Sequence, residues 1–325
     1  MISHRRNTPK AGEATAQNAL PCERVMMVRP SRFAWNKETA VSNSFQQAED
    51  SNHNLEVHRL AMAEFKSMHA MLVKAGIHVH EFSDSPTPTT PDSIFPNNWV
   101  SFHGDGSVAI YPMLAPNRRD EICTHWVEEL EDTLGVKWTR RLDLQPLCEQ
   151  GHYLEGTGSM VLDRDNKVAY AALSPRTTQK GLDAFARGLD YQIHPLRTSV
   201  QGAPVYHTNV MMSLGRSHAL VCLQAMSNKK DQRTLVEKLE QSGRRVLEID
   251  RDQMLHFAGN QITLANAAGD PQIVMSEQAL KSLRPSQVRL LEGHGAILAP
   301  CLETIERHGG GSARCMLAEI FTPGA

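Results

Sequence analysis

The feature that most constrains the fold of this chain is a sequence pattern that recurs every 51 to 60 residues. Each copy starts with small or polar residues and continues as a short apolar run. The five copies are "PNNWVSF" from Pro96, "EGTGSMVLD" from Glu155, "HTNVMMSLG" from His207, "AGNQITLAN" from Ala258 and "SARCMLAEI" from Ser312. Regular spacing of this length predicts repeated supersecondary units.

Between the copies lie a second strand-like run, a helix-like stretch and a third strand-like run. In the first repeat, the apolar residues Ile122, Trp126, Leu130 and Leu134 stand at every fourth position, which is typical of an amphipathic helix. The repeating unit is therefore strand–strand–helix–strand. The run "RVMMVRP" from Arg24 is expected to complete the fifth copy.

Units of this kind can close into a ring, which leaves no long exposed sheet edge. We therefore predict an α/β protein, a five-bladed pseudo-symmetric α/β propeller. Residues 24–325 form its single domain, and residues 1–23 form a loosely ordered tail. A ring would bring the first strands of all repeats to one axis, where polar side chains from distant parts of the sequence can meet. An α/β fold without symmetry is the alternative.

Charge and composition exclude several classes of function. The net charge is −2 and no basic stripe is present, which argues against a nucleic-acid partner. No apolar run approaches the roughly 18 residues that cross a membrane. The N-terminus lacks the apolar core of a secretory signal, so a cytoplasmic location is favoured over a transit peptide. The six cysteines are scattered, so reduced thiols are expected, and the Cys123–His125 pair lacks the second pair that a zinc site needs.

Five short motifs carry a resemblance to a known family. The segments "FPNNWVSF", "EGTGS", "SPRT", "YHTNV" and "GGGSARCM" occur in an order and spacing that resemble the guanidine-modifying superfamily. This superfamily contains arginine deiminases, dimethylarginine hydrolases and amidinotransferases, and its members share the pentein fold. The sequence is most similar to the branch of citrulline-utilization hydrolases. The resemblance covers the chain from about Arg24 onward and implies a small-molecule substrate and no cofactor or metal.

The resemblance implies three catalytic residues. Cys315 matches the nucleophile that follows the terminal glycines, His207 matches the general acid and base, and Glu155 matches the carboxylate that holds the nitrogens of the reacting group. The chemistry agrees, because a thiolate can attack the resonance-stabilised carbon and a histidine can protonate the departing nitrogen. A carboxylate fixes the orientation of the substrate N–H groups. Taken alone, each of the three residues also fits a structural role.

The resemblance also implies how the substrate's α-carboxylate is bound. Arg176 in "SPRT" matches the arginine that binds it, although the same motif is typical of a helix N-terminus. Either Arg118 or Arg119 is a second candidate anchor, and the sequence leaves the choice open.

Asparagines stand where arginine deiminases usually have aspartates. These asparagines are Asn98 and a position near Asn209. Asn260 is likewise the polar residue at the start of its repeat. A guanidinium group presents only N–H donors, whereas a ureido group presents a carbonyl acceptor and an NH2 donor, as an asparagine side chain does. A mismatch at a buried hydrogen-bonding group costs roughly 1–3 kcal/mol. The sequence thus favours hydrolysis of citrulline to ornithine, ammonia and carbon dioxide.

Several alternatives remain open at this stage. An arginine dihydrolase would also pass through a ureido stage on its way to ornithine, whereas an arginine deiminase or dimethylarginine hydrolase would stop at citrulline. An amidinotransferase would use an amine in place of water, and a non-enzymatic propeller would only bind a ligand. Phe33, Asn36 and Asn43 lie in a polar N-terminal segment that is expected to line the pocket. The sequence leaves a homo-oligomer open.

Overall fold

The described part of the chain forms five small β-sheets of three strands each. The computed structural model describes residues 21–48, 53–200 and 202–324. The strands are β1 (Arg24–Arg29), β2 (His78–Ser83), β3 (Val100–Phe102), β4 (Ser107–Ile110), β5 (Arg140–Asp143), β6 (Met160–Asp163), β7 (Val168–Ala172), β8 (Gln192–Leu196), β9 (Met212–Leu214), β10 (His218–Val221), β11 (Arg245–Glu248), β12 (Ile262–Ala265), β13 (Pro271–Val274), β14 (Ala296–Leu298) and β15 (Ala318–Glu319).

All five sheets have the same topology. In the sheet β3-β4-β5, the first strand is antiparallel to the middle strand and the third strand is parallel to it. The sheets β6-β7-β8, β9-β10-β11 and β12-β13-β14 repeat this pattern. The fifth sheet, β15-β1-β2, combines the C-terminal strand with the N-terminal run, and Val25 lies opposite Glu319. The predicted fivefold repeat is therefore present.

Helices connect the middle strand of each sheet to the parallel third strand, as a parallel pair requires. The helices are α1 (Lys37–Ala40), α2 (Asn54–Lys74), α3 (Pro116–Arg119), α4 (His125–Leu134), α5 (Gly156–Ser159), α6 (Gln179–Leu189), α7 (Lys229–Gln241), α8 (Arg251–Leu255), α9 (Glu277–Ser282), α10 (Pro285–Glu292) and α11 (Glu303–Gly309). The helical stretch expected after Arg118 is interrupted between α3 and α4, where the buried Glu121 pairs with Arg118.

A single helical turn precedes the first strand of each sheet. Two of these turns are 3-10 helices, Pro96–Asn98 and Thr208–Val210, and a third is α5. Asn260 and Cys315 follow equivalent turns, in which their N–H groups donate to carbonyls three residues earlier. These turns hold the polar residues that lead each repeat.

Neighbouring turns contact one another through hydrogen bonds. The Thr157 hydroxyl in α5 donates to the Asn97 carbonyl at 3.3 Å. The Asn260 side chain donates to the Asn209 carbonyl at 3.0 Å and accepts from the Arg314 N–H at 3.1 Å. Side chains that are far apart in sequence are thereby brought into one polar cluster.

Four apolar clusters fill the space between the sheets and their helices. Trp99 and Trp138, the two largest fully buried side chains among the described residues, both belong to the cluster around β3 and β4. Within the described ranges, no helix is long and apolar enough to cross a membrane. Most of the predicted loose tail, residues 1–20, lies outside the described residues.

Candidate active site

Cys315 lies in a tightly packed turn behind a glycine-rich loop. Helix α11 ends at Gly309, and Gly310 adopts a left-handed backbone conformation with φ of 62°. A side chain at Gly310 would collide with the Asn43 amide, which donates to the carbonyls of Gly309 and Gly310 at 3.4 and 3.3 Å. The glycines therefore allow the N-terminal segment to approach the loop closely and fix its course.

The Cys315 sulfur is buried and faces two amide groups. The Asn260 NH2 group lies 3.2 Å from it and the Asn209 NH2 group lies 3.6 Å away. Burial raises the pKa of the Cys315 thiol, and the Ser312 backbone and the Asn260 amide offset this only in part. In this environment the group is therefore a thiol at neutral pH. A nearby base has to remove its proton before it can act as a nucleophile.

His207 and Glu155 form a buried pair. The distance between His207 Nε2 and Glu155 Oε2 is 2.8 Å, and both side chains are almost completely shielded from solvent. Burial lowers the pKa of His207 to about 4, although Glu155 opposes the shift. Nδ1 has no hydrogen-bond partner among the described residues, and it lies over Gly158, where a Cβ atom would come within 2.7 Å of it. Neutral His207 thus donates through Nε2 and leaves Nδ1 as a free acceptor.

This assignment predicts the titration behaviour of His207. In a nitrogen-15 NMR titration we expect the His207 ring to stay neutral, with the proton on Nε2, from about pH 8 down to about pH 5. Because the unfolded chain binds this proton more readily, the contribution of His207 to the free energy of unfolding falls as the pH drops from about 6.5 towards about 4. A titration midpoint at the ordinary value of about 6.5 would contradict the assignment.

Glu155 is an ionised carboxylate at the centre of the polar cluster. It accepts from the Leu114 N–H at 3.0 Å and lies 3.4 Å from Arg176 Nη1 and 3.8 Å from Arg118 Nη1. Burial alone would raise its pKa, but Arg176, His207 and Arg118 outweigh this effect and hold the pKa well below the usual range. The carboxylate can therefore stabilise a positive charge on His207.

Arg118 and Arg119, the two neighbouring candidates for binding the substrate carboxylate, point in different directions. Arg118 is buried and lines a small cavity together with Cys315 and His207. Arg119 is exposed and donates to the Met113 carbonyl at 3.1 Å. Of the two arginines, only Arg118 faces the cavity.

Arg176 also lines this cavity, and residues outside the cavity lining fix its guanidinium group by hydrogen bonds. Its Nε and Nη2 groups donate to the Ser42 hydroxyl at 2.9 Å and to the Thr39 carbonyl at 2.8 Å, and its guanidinium lies 5.1 Å from the centre of the Tyr206 ring. The Nη1 edge faces Glu155 and the cavity. Arg176 thus has an edge from which it can bind a negatively charged group.

The three candidates from the N-terminal segment have different environments. Asn43 lines the cavity through its contact with the glycine loop. Phe33 packs in an apolar cluster, and Asn36 caps α1 by accepting from the Glu38 N–H at 3.1 Å. Phe33 and Asn36 therefore support the cavity from outside and do not line it.

Sequence reasoning missed two polar residues of the cavity. Asp92 accepts from Asn36 and Thr39 through Oδ2, each at 2.9 Å, while its buried Oδ1 has no partner among the described residues. Tyr206 donates to the Gly310 carbonyl and packs against the His207 ring. Asp92 lies in a proline-rich loop without periodicity, so no sequence pattern marked it.

The cluster combines groups of complementary chemistry. A buried thiol, a neutral imidazole, a carboxylate oxygen without a partner among the described residues and two arginines line one cavity, and the Glu155 carboxylate pairs with the imidazole. Such a set can carry out covalent attack on a polar carbon of a zwitterionic ligand. Within the described part of the chain, no group of three or more His, Cys, Asp or Glu side chains is arranged to hold a metal ion.

Comparisons with known proteins agree in fold and family. The family model described as "N,N dimethylarginine dimethylhydrolase, eukaryotic" matches residues 29–322. No curated protein sequence gives a significant match. The N-terminal domain of ArgZ, covalently bound to a reaction intermediate, superposes with a TM-score of 0.71 at 17% identity, over 92% of this chain and 98% of that one. ArgZ is an arginine dihydrolase from the ornithine–ammonia cycle in cyanobacteria.

Two further solved structures share the fold. The complex of AgrE with ornithine and NAD+ has a TM-score of 0.71 at 18% identity, and the match covers 93% of this chain but 40% of AgrE. A dimethylarginine dimethylaminohydrolase adduct with S-methyl-L-thiocitrulline has a TM-score of 0.64 at 14% identity, over 91% of this chain and 99% of that one. At these identities the superpositions establish a common pentein architecture.

Proposed function

The chain belongs to the N,N-dimethylarginine dimethylhydrolase family of carbon–nitrogen hydrolases, and on this basis we propose that it converts a ureido or guanidino amino acid into ornithine. Citrulline is the favoured substrate. In this proposal Cys315 is the nucleophile, His207 is the general acid and base, and Glu155 stabilises the charged imidazole.

The observation that carries the preference for citrulline is the pair of amides at the sulfur. The carbonyl of Asn260 accepts from the Arg314 N–H, so its NH2 group has to face the Cys315 sulfur. The Asn209 NH2 group approaches the sulfur from the same cluster. Fixed donors at this point suit the carbonyl oxygen of a ureido group and the negative charge that it gains during attack. A guanidinium group, which only donates, would oppose them.

The first half of the reaction forms a covalent adduct. His207 Nδ1 takes the proton of the Cys315 thiol, and Glu155 stabilises the resulting imidazolium. The thiolate attacks the ureido carbon. The terminal C–N bond then breaks, and the imidazolium protonates the departing nitrogen, which leaves as ammonia. The sulfur now carries a thiocarbamate that is still bonded to the δ-nitrogen of ornithine.

The second half of the reaction uses water. His207, again neutral, removes a proton from water, and the hydroxide attacks the thiocarbamate carbon. The C–S bond breaks and the thiol recovers its proton. The product is a carbamate of ornithine, which loses carbon dioxide and takes up a proton to give ornithine. Citrulline and water thus yield ornithine, ammonia and carbon dioxide.

Two cavity residues would hold the amino-acid head of the substrate. The Nη1 edge of Arg176, which donates to Glu155 at 3.4 Å and faces the cavity, suits the α-carboxylate. The unpaired Oδ1 of Asp92 suits the α-ammonium group, since a buried carboxylate oxygen without a donor is costly until a ligand supplies one. Together these groups favour a free amino acid over an amine without a carboxylate.

Arginine dihydrolysis is the second candidate function. It is favoured by the ionised Glu155 carboxylate beside His207, which can accept from guanidinium N–H groups. The similarity in fold to ArgZ and AgrE agrees with this candidate. Arginine would first lose ammonia to give citrulline, and the same steps would then release ornithine.

The same proposal includes closure of the five sheets into a ring. Successive turns are joined by the hydrogen bonds Thr157 to Asn97, Thr208 to Ser159 and Asn260 to Asn209. The Asn260 side chain also accepts from the Arg314 N–H, which connects this turn to the turn before β15. Strand β15 in turn contacts the turn Pro96–Asn98, which precedes the first strand of the sheet β3-β4-β5. A closed ring would explain why residues from all five repeats share one cavity.

An assay of ornithine and ammonia release tests the function. Purified protein would be incubated separately with citrulline, arginine, dimethylarginine and agmatine. We expect the fastest ornithine release from citrulline and little turnover of agmatine, which lacks the carboxylate that Arg176 is proposed to bind. Equal ornithine release from arginine would favour the dihydrolase. Conversion of arginine to citrulline without ornithine would contradict the assignment of the amides.

A further inference from the structure

The glycine-rich loop before Cys315 is held at both ends by one residue of α11, Glu306. The Glu306 carbonyl accepts from the Gly310 N–H at 3.0 Å, and the Glu306 carboxylate accepts from the Ser312 hydroxyl at 2.6 Å. The Ser312 carbonyl in turn accepts from the Cys315 N–H at 2.9 Å. Glu306 therefore fixes the start of the loop and, through Ser312, the turn that carries the thiol.

This loop has little room to adjust. A Cβ atom at Gly311 would lie 2.9 Å from the Phe95 ring and 3.2 Å from the Cys315 Cβ. The Ser312 side chain is fully buried, and the loop lines the same cavity as Cys315 and Asn98. Because close-packed groups transmit strain, a shift of Ser312 moves the turn that carries Cys315.

The Glu306 carboxylate is buried without a strong cationic partner. Its donors are the Ser312 hydroxyl, the Gln278 amide at 3.1 Å and the Ser276 side chain, and no lysine or arginine of the described residues forms an ion pair with it. Burial raises the pKa of Glu306 to about 7, although Ser276 and Ser312 oppose the shift. Around neutral pH the group therefore changes between a carboxylate and a neutral acid.

Several elements place charged groups around Glu306. Glu64 on α2 raises the pKa of Glu306 further, and His256 after α8 lowers it. Glu306 also lines two adjoining outer cavities of about 420 and 460 Å³. Their other titratable groups are at least partly exposed, so water screens their charges: Asp252, Glu277, Lys281, Cys301, Glu303 and Arg307.

The charge on Glu306 does not help the chain to fold. Its pKa is higher in the folded protein than the ordinary value of about 4.5, so the folded state binds this proton more tightly than the unfolded state. The contribution of Glu306 to the free energy of unfolding therefore falls as the pH rises from about 4.5 through about 7. A neutral glutamine of the same shape would avoid this loss, so the carboxylate calls for a role other than stability.

We infer that Glu306 is a positioning residue for the proposed nucleophile: its ionised carboxylate, acting through Ser312, holds the Cys315 sulfur where it can attack the substrate. The inference rests on the proposed function, because it concerns the geometry of the same thiol. Glu306 itself does not line the cavity of Cys315 and does not have to touch the substrate.

The physical basis is the fixed polarity of an ionised carboxylate. Both of its oxygens only accept, so the Ser312 hydroxyl has to donate to it and is held in one orientation. A neutral acid carries a proton on one oxygen, and one of the donors Ser276, Gln278 and Ser312 then loses its acceptor. Ser312 becomes free to rotate, and the turn relaxes. A displacement of a reacting atom by about 1 Å can lower the rate by about a hundredfold.

The test compares Glu306→Gln, which keeps the shape but cannot ionise, with the unmodified protein. At pH 8 we expect kcat for citrulline to fall by about tenfold to hundredfold, while KM stays close to its original value because Arg176 and Asp92 are untouched. In the unmodified protein kcat should decline as the pH falls through about 7, and Glu306→Gln should lack this decline.

Glu303→Gln is the matched control. Glu303 is an exposed residue of the same helix and lines one of the same outer cavities. Its replacement should leave kcat and the pH dependence of kcat unchanged. A loss of activity in Glu303→Gln equal to that in Glu306→Gln would show a general effect of charge at this surface and would overturn the inference.

Thermal melts distinguish positioning from a structural role. At pH 8 the Tm of Glu306→Gln should equal or exceed that of the unmodified protein, because the variant buries no charge. A lower Tm together with an unchanged pH profile of kcat would mean that Glu306 is only structural. Ser312→Ala is the second variant, which also decides the question if Glu306→Gln does not fold. It cuts the link between Glu306 and Cys315, so it should lower kcat and abolish the decline near pH 7.

Alkylation of Cys315 by iodoacetamide, followed by mass spectrometry, gives a readout that needs no substrate. We expect slower labelling at pH 8 in both variants than in the unmodified protein. Unchanged labelling together with unchanged kcat would overturn the inference and leave the hydrolase function intact. If the unmodified protein turns over neither citrulline nor arginine, the proposed function fails, and the labelling rates still decide whether Glu306 positions the thiol.

Discussion

Replacing Cys315 with alanine is expected to reduce turnover by roughly 10⁴-fold or more, because no other group can form the covalent adduct. Binding of substrate should survive, since Arg176 and Asp92 are untouched. The buried thiol is small and weakly hydrogen bonded, so the free energy of unfolding should change by only about 1 kcal/mol. Steady-state ammonia release and a thermal melt measure the two effects separately.

Cys301 provides the matched control for this variant. It is the one cysteine exposed to solvent within the described ranges, and it lies outside the cavity of Cys315. Cys301→Ala should retain full activity. In addition, a haloacetamidine probe, which carries a guanidinium-like head, should label Cys315 faster than Cys301 despite the burial of Cys315. Preferential labelling of Cys301 together with an active Cys315→Ala protein would refute the nucleophile assignment.

Glu155→Gln is expected to impair both stability and turnover. Glu155 is the carboxylate shared by His207, Arg176 and Arg118, and its side chain is buried. Removing its charge leaves the two arginines less compensated, which costs about 3–5 kcal/mol of unfolding free energy when a buried pair is broken. Loss of the group that stabilises the imidazolium should lower kcat by roughly 10²–10⁴-fold.

Glu131→Gln separates these two effects. Glu131 is also buried and pairs with Lys137 and Arg141, but it belongs to α4, away from the cavity. We expect this variant to lose stability while kcat at low temperature stays close to that of the unmodified protein. If Glu155→Gln behaves like Glu131→Gln in the activity assay, Glu155 has only a structural role.

The repeat was predictable because it rests on local patterns. A strand, a connecting turn and an amphipathic helix are each encoded within a few neighbouring residues, as the four-residue step from Ile122 to Leu134 illustrates. The predicted runs match the strands of all five sheets, and the superfamily suggested by the motifs is confirmed. The citrulline branch and the catalytic roles stay predictions.

The candidate site was only partly predictable. The motifs indicated Cys315, His207 and Glu155, which the fold brings into one polar cluster. The sequence could not distinguish between Arg118 and Arg119, because they are neighbours of the same residue type. Only the folded chain decides which of the two side chains points into the cavity. The sequence also missed Asp92, since an aspartate in an irregular loop has no periodic environment. Asn36 and Phe33 were expected to line the pocket. The structure instead places Asn36 against Asp92 and Phe33 in an apolar cluster outside the cavity lining.

The amino-acid sequence alone specified the repeating unit, the residue types that lead each repeat and the chemistry that those residues can perform. The tertiary structure decided which groups meet and which way they point: the neutral state of His207, the free oxygen of Asp92 and the contact of Glu306 with Ser312. The reason is that pKa values and hydrogen-bond orientation depend on burial and on partners far away in sequence, such as Glu155 for His207 and Asn209 for Cys315. Local patterns carry no information about such partners until the chain has folded.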